Sequence, residues 1–327
     1  MPKESFSQSF GERNFGEQRE PEILRKKIYQ TEAGPVEVEW LEIRPANGES
    51  VSEGEKSTKA TLFLPGWAMT AGRESVRELS QSFADYAESP TYIISTRAAN
   101  RASEDMLYQE ADAVRQFVEE EGLSDLVVSG HSQGGDKAID LVTMLQENPK
   151  MKVEGLVLID SVGLYEQGNA ELAAKFSKDS LLDTPQGALK YLGSKSSFLK
   201  RSMRAATDIV FGIVGEIGKS KTSYLPRLLG EIKNMAKLNR RVEEITVPVM
   251  LVHGSEDLVS DPGRIAPVER PSDRESYLKE NLFKQSPYVR MIVAEKAGHH
   301  GLPLFRSESV ARASLYMLKR FHRSRRK

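Results

Sequence analysis

The chain has 327 residues, of which 39% are hydrophobic and 28% charged, with a net charge of -1 and no cysteine. That length holds one large domain with an insertion or two modest domains, and the balance of apolar and charged residues is that of a soluble globular protein. The near-neutral charge exerts no overall pull toward nucleic acid, the lack of cysteine excludes disulfides, thiolate metal sites and a cysteine nucleophile, and no apolar run approaches the ~20 residues that span a bilayer.

Residues 1–20 are polar, mixed in charge and without periodicity, which predicts a flexible tail. They contain no apolar core of a secretory signal and too many acidic residues for a typical transit peptide, so a cytoplasmic location is expected. Residues 23–31 and 36–43 alternate apolar and polar side chains around Ala33-Gly34-Pro35, the pattern of an antiparallel hairpin. After a Gly-, Ser- and Glu-rich loop at 47–59, the run 60–64 predicts the first central strand. A helix follows over 71–86, with Val76, Leu79, Phe83 and Tyr86 at helical spacing. A strand at 92–95 and a helix over 104–120, with Leu107, Ala111, Val114 and Val118 on one face, repeat the unit. Leu126-Val127-Val128 then leads through Gly130-His131-Ser132-Gln133-Gly134-Gly135 into a helix over 136–146, and 153–159 reads as a strand buried on both faces.

The alternation stops between 161 and 247, where roughly 80 residues of helix-like sequence are too many for a plain loop. This predicts a helical cap at 165–244 inserted between core segments 21–164 and 245–323. Within it, 205–217 is apolar but broken by Asp208, Gly212, Gly215 and Glu216, which favours a helix packed on the core over a lid or a membrane contact. Strands resume at 247–252 and 289–294, separated by a loop rich in Pro, Arg and Asp with room for a short helix. The last helix is predicted over 308–321, with Val310, Ala313, Met317 and Phe321 on one face, followed by a basic tail at 324–327. The stretch 319–327 holds six basic residues in nine; with no basic patch elsewhere it reads as a solvated end, and no nucleic-acid partner is expected. About eight strands alternating with helices imply βαβ crossovers and a doubly wound, mostly parallel sheet with helices on both faces.

The segment 130–135 has the G-x-S-x-G pattern between a strand and a helix, the setting of a nucleophile elbow, in which glycines two residues either side of the serine remove clashing side chains. Downstream, the strand at 247–252 ends in His253-Gly254-Ser255-Glu256-Asp257, and the strand at 289–294 leads into Ala297-Gly298-His299-His300. Ser132, Asp257 and His299 therefore supply, in that order, a nucleophile, an acid and a base. A serine hydroxyl needs a base to take its proton, and the base needs a carboxylate to hold its tautomer. His300 is the alternative base. Glu256, Asp261 and Asp160 compete for the acid, Asp160 most seriously because it also follows a central strand. His131, His253 and His322 read as structural and lack the sequence spacing of metal ligands, so no metal is invoked. Arg97, Arg101, Arg264, Arg270 and Arg274 read as loop or surface residues, with contact to an acidic substrate as their functional alternative.

On these segments, together with Leu64-Pro65-Gly66-Trp67-Ala68, the chain resembles the α/β-hydrolase superfamily over about residues 27–323. The resemblance implies the α/β-hydrolase fold, a cap that shapes the substrate pocket, and an oxyanion hole made by the backbone N–H groups of Trp67 and Gln133. Pro65 stands where many members carry histidine, which leaves the Trp67 donor unchanged in type but removes any contact from that side chain. The implied activity is a cofactor-free serine hydrolase, carboxylesterase- or lipase-like, acting on a small, partly apolar acyl substrate. Thioester hydrolysis, acyl transfer and C–C cleavage use the same residues, and a ligand-binding or signalling protein with little turnover is the reading from another class. Serine at the elbow argues against the dehalogenase and epoxide-hydrolase branches, where aspartate stands there.

Overall fold

The computed structural model describes residues 23–46, 58–67, 69–99, 103, 105–178, 232–299, 302 and 306–325. A single eight-stranded sheet organises them in the order β1-β2-β4-β3-β5-β6-β7-β8. Strands β1 (Arg25–Thr31) and β2 (Gly34–Ile43) form an antiparallel hairpin, and β2 pairs antiparallel with β4 (Thr91–Ala98). From β4 onward the sheet is parallel through β3 (Lys59–Leu64), β5 (Asp125–His131), β6 (Lys152–Ile159), β7 (Val249–Gly254) and β8 (Val289–Ala294).

The near-continuous apolar runs of the central strands follow from this layering, because successive side chains leave a strand on opposite faces. Leu126 and Val128 of β5, Leu156 and Leu158 of β6, and Val249 and Leu251 of β7 join one core with α2 (Met106–Glu120) and α3 (Gln133–Gln146). Val127, Val157, Ile159, Met250 and Val252 join the core on the other face with α1 (Glu74–Ala87) and a long C-terminal helix. Between β7 and β8 lie short helical turns at Pro262–Ile265 and Pro271–Asp273 and a helix over Arg274–Asn281. The chain winds from β3 to β4 in one direction and from β5 to β8 in the other. The strand ends of β3 and β5 therefore flank the reversal, where doubly wound sheets bind ligands beyond their carboxyl edges.

Several boundaries differ from expectation for identifiable reasons. Helix α3 begins at Gln133 rather than near 136, because the turn at Ser132 passes directly into it. Strand β4 reaches Ala98, since its pairing with β2 continues to Val36 opposite Ala98. The C-terminal helix spans Ser307–Arg325, so it runs past the expected end at 321 and into the basic tail expected from 324. It is held there by Phe321 stacking on Tyr288 at 5.3 Å and by His322 Nε2 donating to the Glu154 carbonyl at 2.8 Å. No helix among the described residues is long and apolar enough to cross a membrane.

Of the expected cap, the described parts are a helix α4 (Asn169–Lys178), a helical turn at 232–235 and the 3-10 turn Arg240–Glu244. The stretch 205–217 lies outside the described residues. The two legs of the insertion are tied together and to the core. Gln167 N–H donates to the Ala236 carbonyl at 2.9 Å and Asn239 N–H to the Gly163 carbonyl at 2.8 Å. Val162, Leu172, Ile232, Met235, Ala236 and Val259 form a separate apolar cluster between them.

Asn239 also reaches helix α3, where its amide donates to Asp136 Oδ1 at 2.7 Å and to Asp140 Oδ1 at 3.1 Å. These carboxyls, four residues apart on one helical face, are both buried. Burial and the neighbouring Asp140 push the Asp136 carboxyl well above the carboxylate range, outweighing Asn239 and Lys137. Burial pushes Asp140 up to about 6 against the opposing effects of Asn239 and Arg241. The folded protein therefore keeps protons that the unfolded chain releases, so these groups cost stability as pH rises from about 4 through about 6. Asp136→Asn is expected to raise the urea midpoint at pH 8 and to change it little at pH 4, and paired denaturation curves at the two pH values check this.

Candidate active site

Strand β5 ends at His131, and Ser132 turns the chain into α3 with φ 53° and ψ -123°, a sparsely populated conformation for a non-glycine residue. The turn is possible because two glycines leave no side chain in its way. A Cβ on Gly130 would lie 2.2 Å from the Gly134 carbonyl oxygen, and one on Gly134 would lie 2.0 Å from that of Leu64. The elbow is thereby pressed against the end of β3. The Ser132 N–H donates to the Ile159 carbonyl at 3.0 Å, and its carbonyl accepts from Gly135 N–H at 3.0 Å and Val162 N–H at 3.3 Å.

Although it stands at the carboxyl end of a strand, Ser132 is only 1% exposed. Its neighbours explain this: the Pro65–Trp67 turn approaches so closely that a Cβ on Gly66 would come within 3.0 Å of Ser132 Cβ, and Val162 crosses on the other side. Gly66, the residue before Trp67, is thus packed against the serine, and Gln133, as the first residue of α3, has its N–H among those at a helix start that lack an intrahelical acceptor.

His299 Nε2 lies 2.8 Å from Ser132 Oγ and its Nδ1 lies 2.9 Å from Asp257 Oδ2. An ionised Asp257 only accepts, so Nδ1 carries the proton and Nε2 offers its lone pair to the serine hydroxyl. Burial alone would raise the Asp257 carboxyl. The charge and hydrogen bond of His299, with the Ser260 N–H, outweigh it and hold the group at about 2. Its other oxygen, Oδ1, accepts from the N–H groups of Val259 at 2.8 Å and Ser260 at 2.9 Å.

The rival residues are placed differently. Asp160 Oδ1 accepts from the Gly254 N–H at 2.8 Å and lies 3.9 Å from His253 Nδ1, behind Asp257 rather than on His299. His300 and Arg101 lie outside the described residues. Arg264 pairs with Glu171 and stacks over the Tyr165 ring at 4.8 Å. Although sequence spacing suggested no metal ligands, the fold brings side-chain atoms of Asp160, His253 and Asp257 within 4.8 Å of one another. The hydrogen bonds already named occupy both oxygens of Asp257 and one of Asp160, an arrangement of mutual support around the carboxylate.

Sequence reasoning passed over His131 as a neighbour with no part in the site. Its ring lies 5.3 Å from that of His299, and its Nε2 donates to the His299 carbonyl at 3.1 Å, bracing the loop that carries that histidine. Burial drives both inner histidines down, His131 to about 3 and His253 to about 4. Tyr165, Gln167 and Ser260, which surround the loop after Asp257, carried no sequence signal at all.

An eight-stranded, mostly parallel sheet with a serine elbow after its fifth strand defines the α/β-hydrolase fold, and the chain has it. An esterase from Exiguobacterium antarcticum is similar at TM-score 0.57 and 15% identity, over 90% of this chain and 100% of that one. A thermophilic esterase from Thermogutta terrifontis is similar at TM-score 0.56 and 14% identity, over 92% and 99%. A serine hydrolase involved in carbazole degradation is similar at TM-score 0.55 and 14% identity, over 91% and 99%. No protein-family model and no curated protein sequence matches the chain.

The tight approach of the elbow to β3 has a direct consequence for stability. Gly134→Ala drives a methyl group into the backbone of Leu64 and Pro65, and relief requires separating α3 from the sheet. A loss of about 2 kcal/mol or more is expected from overpacking of this kind, measurable as a lowered urea midpoint relative to the unchanged protein.

Proposed function

We propose that the protein is a serine hydrolase that cleaves an ester or related acyl substrate through an acyl-enzyme. The observation that carries this reading is the continuous chain from Asp257 Oδ2 to His299 Nδ1 at 2.9 Å and from His299 Nε2 to Ser132 Oγ at 2.8 Å, with the serine on a strained elbow. In this reading His299 takes the hydroxyl proton as Ser132 Oγ attacks the acyl carbon, and Asp257 stabilises the imidazolium that forms. The backbone N–H groups of Trp67 and Gln133 hold the tetrahedral oxyanion. The imidazolium then protonates the leaving alcohol as its bond to the acyl carbon breaks. Water attacks the acyl-enzyme with His299 again as base, releasing the acid and returning the proton to Ser132. No step calls for a cofactor. The apolar cluster of Val162, Leu172, Ile232, Met235 and Val259 beside the elbow and the acid loop supports a partly apolar acyl group. The fold shared with two esterases and a serine hydrolase supports the reaction class.

A fluorophosphonate probe is expected to label the protein at Ser132, and a panel of nitrophenyl esters of increasing chain length to be hydrolysed. Ser132→Ala and His299→Ala should each lower kcat by roughly 10⁴-fold or more, as loss of such a group does elsewhere. Asp257→Asn should cost far more than Asp160→Asn, and the opposite ranking would move the acid to Asp160. Labelling without turnover of any acyl substrate would favour a ligand-binding protein instead.

The pH dependence has a definite sign. Asp257, held at about 2, stays ionised throughout the working range, and His131 and His253, at about 3 and about 4, stay neutral. In this reading the acid limb of kcat/KM reports His299, whose protonated ring cannot accept the serine proton, so activity should fall with decreasing pH. A profile measured from pH 5 to 9 that rises toward low pH would exclude His299 as the base.

A further inference from the structure

The loop that carries Asp257 is held from the cap side through one peptide group, that between Val259 and Ser260. Its N–H donates to Asp257 Oδ1 at 2.9 Å. Its carbonyl accepts from Tyr165 Oη at 3.1 Å and from Gln167 Nε2 at 3.3 Å. Tyr165 Oη accepts in turn from Asp261 N–H at 3.3 Å, so the phenol spans the loop on both sides of Ser260. Ser260 Oγ donates to the Ser161 carbonyl and lies 3.3 Å from His253 Nδ1, closing the loop from beneath.

From these contacts we infer that Tyr165 and Gln167 are positioning residues, which orient the Val259–Ser260 peptide so that its N–H fixes the Asp257 carboxylate opposite His299. This rests on the serine-hydrolase reading above. A peptide that accepts hydrogen bonds at its carbonyl is polarised toward stronger donation at its N–H, so the two side chains act on the carboxylate through a single rigid unit. The same two residues belong to the first leg of the insertion. Gln167 is bonded to Ala236 on the second leg and accepts from Lys175 Nζ of α4 at 3.4 Å. Arg264 ties the Tyr165 ring to Glu171 of α4. The described legs of the insertion and the loop that carries the acid are thus mechanically joined.

The test is a double-mutant cycle in the full-length protein. Tyr165→Phe removes the hydroxyl while keeping the ring under Arg264, and Gln167→Leu removes the second donor. Tyr165→Phe is expected to lower kcat roughly tenfold and the double variant on the order of 10²-fold, with KM moving less than about threefold, as small misplacements of catalytic groups do. In an Asp257→Asn background the Tyr165→Phe loss should vanish, because the route runs through that carboxylate. The downfield proton resonance of the His299–Asp257 hydrogen bond should shift or broaden in Tyr165→Phe while the rest of the spectrum stays native. An equal loss in both backgrounds, a change confined to KM, or an unaltered kcat with an unaltered imidazole resonance would overturn the proposal. Should the double variant fail to fold, the Tyr165→Phe cycle alone decides it. A wild-type protein that neither labels with fluorophosphonate nor hydrolyses esters overturns the hydrolase reading instead, and the imidazole resonance still tests the positioning role.

Discussion

Everything at this site depends on the backbone of Ser132 leaving β5 in a conformation that costs of order 1–3 kcal/mol for a residue with a side chain. Such strain persists only where the surroundings over-determine it. Here β3 presses on one side, with the Leu64 carbonyl 2.0 Å from where a Gly134 Cβ would stand, and β6 holds the other through the Ile159 carbonyl and the Ser132 N–H. The elbow is a property of three adjacent parallel strands rather than of six residues. This is why it sits where the sheet reverses its winding.

Electrostatically the site is sorted by burial. His131, His253 and His299 all lie in the interior within reach of one carboxylate, yet only His299 touches it. The other two meet backbone or hydroxyl groups and are driven below the range in which imidazole ordinarily titrates. Asp257 goes the opposite way, because two backbone N–H groups and His299 more than offset its loss of water. His299 and the ionised Asp257 therefore meet away from water, where their attraction is strong.

Much of this arrangement was legible in the chain because it rests on local patterns. Strand runs such as Leu126-Val127-Val128 and the helical spacing of Leu107, Ala111, Val114 and Val118 are dictated by burial on two faces or on one, and they appear as strand β5 and helix α2. The order of Ser132, Asp257 and His299 could be read because each follows a strand end, and parallel strands bring such ends to one edge. What sequence could not disclose is what depends on non-local packing. Whether Asp160 or Asp257 meets the imidazole turns on a loop conformation held by backbone hydrogen bonds. The burial of Ser132 arises from loops far apart in sequence. The start of α3 at Gln133 and the run of the last helix to Arg325 are fixed by contacts with the elbow and with Tyr288, which no periodicity encodes.

Tyr165 and Gln167 carry this contrast furthest, since neither belongs to a motif and neither touches Ser132 or His299. Their importance comes from topology. β6 and β7 are neighbours, so the loops leaving their carboxyl ends, one entering the insertion and the other carrying Asp257, must lie side by side. Once adjacent, their backbone groups need partners away from water, and the Val259 carbonyl finds them in the phenol and the amide. A hydrogen bond demanded by burial thereby becomes the link between the insertion and the loop that carries Asp257. The same demand explains why the link acts on the acid and not on the nucleophile. The serine is held by glycines and strands of the sheet, whereas the acid stands on a loop held by backbone and side-chain hydrogen bonds.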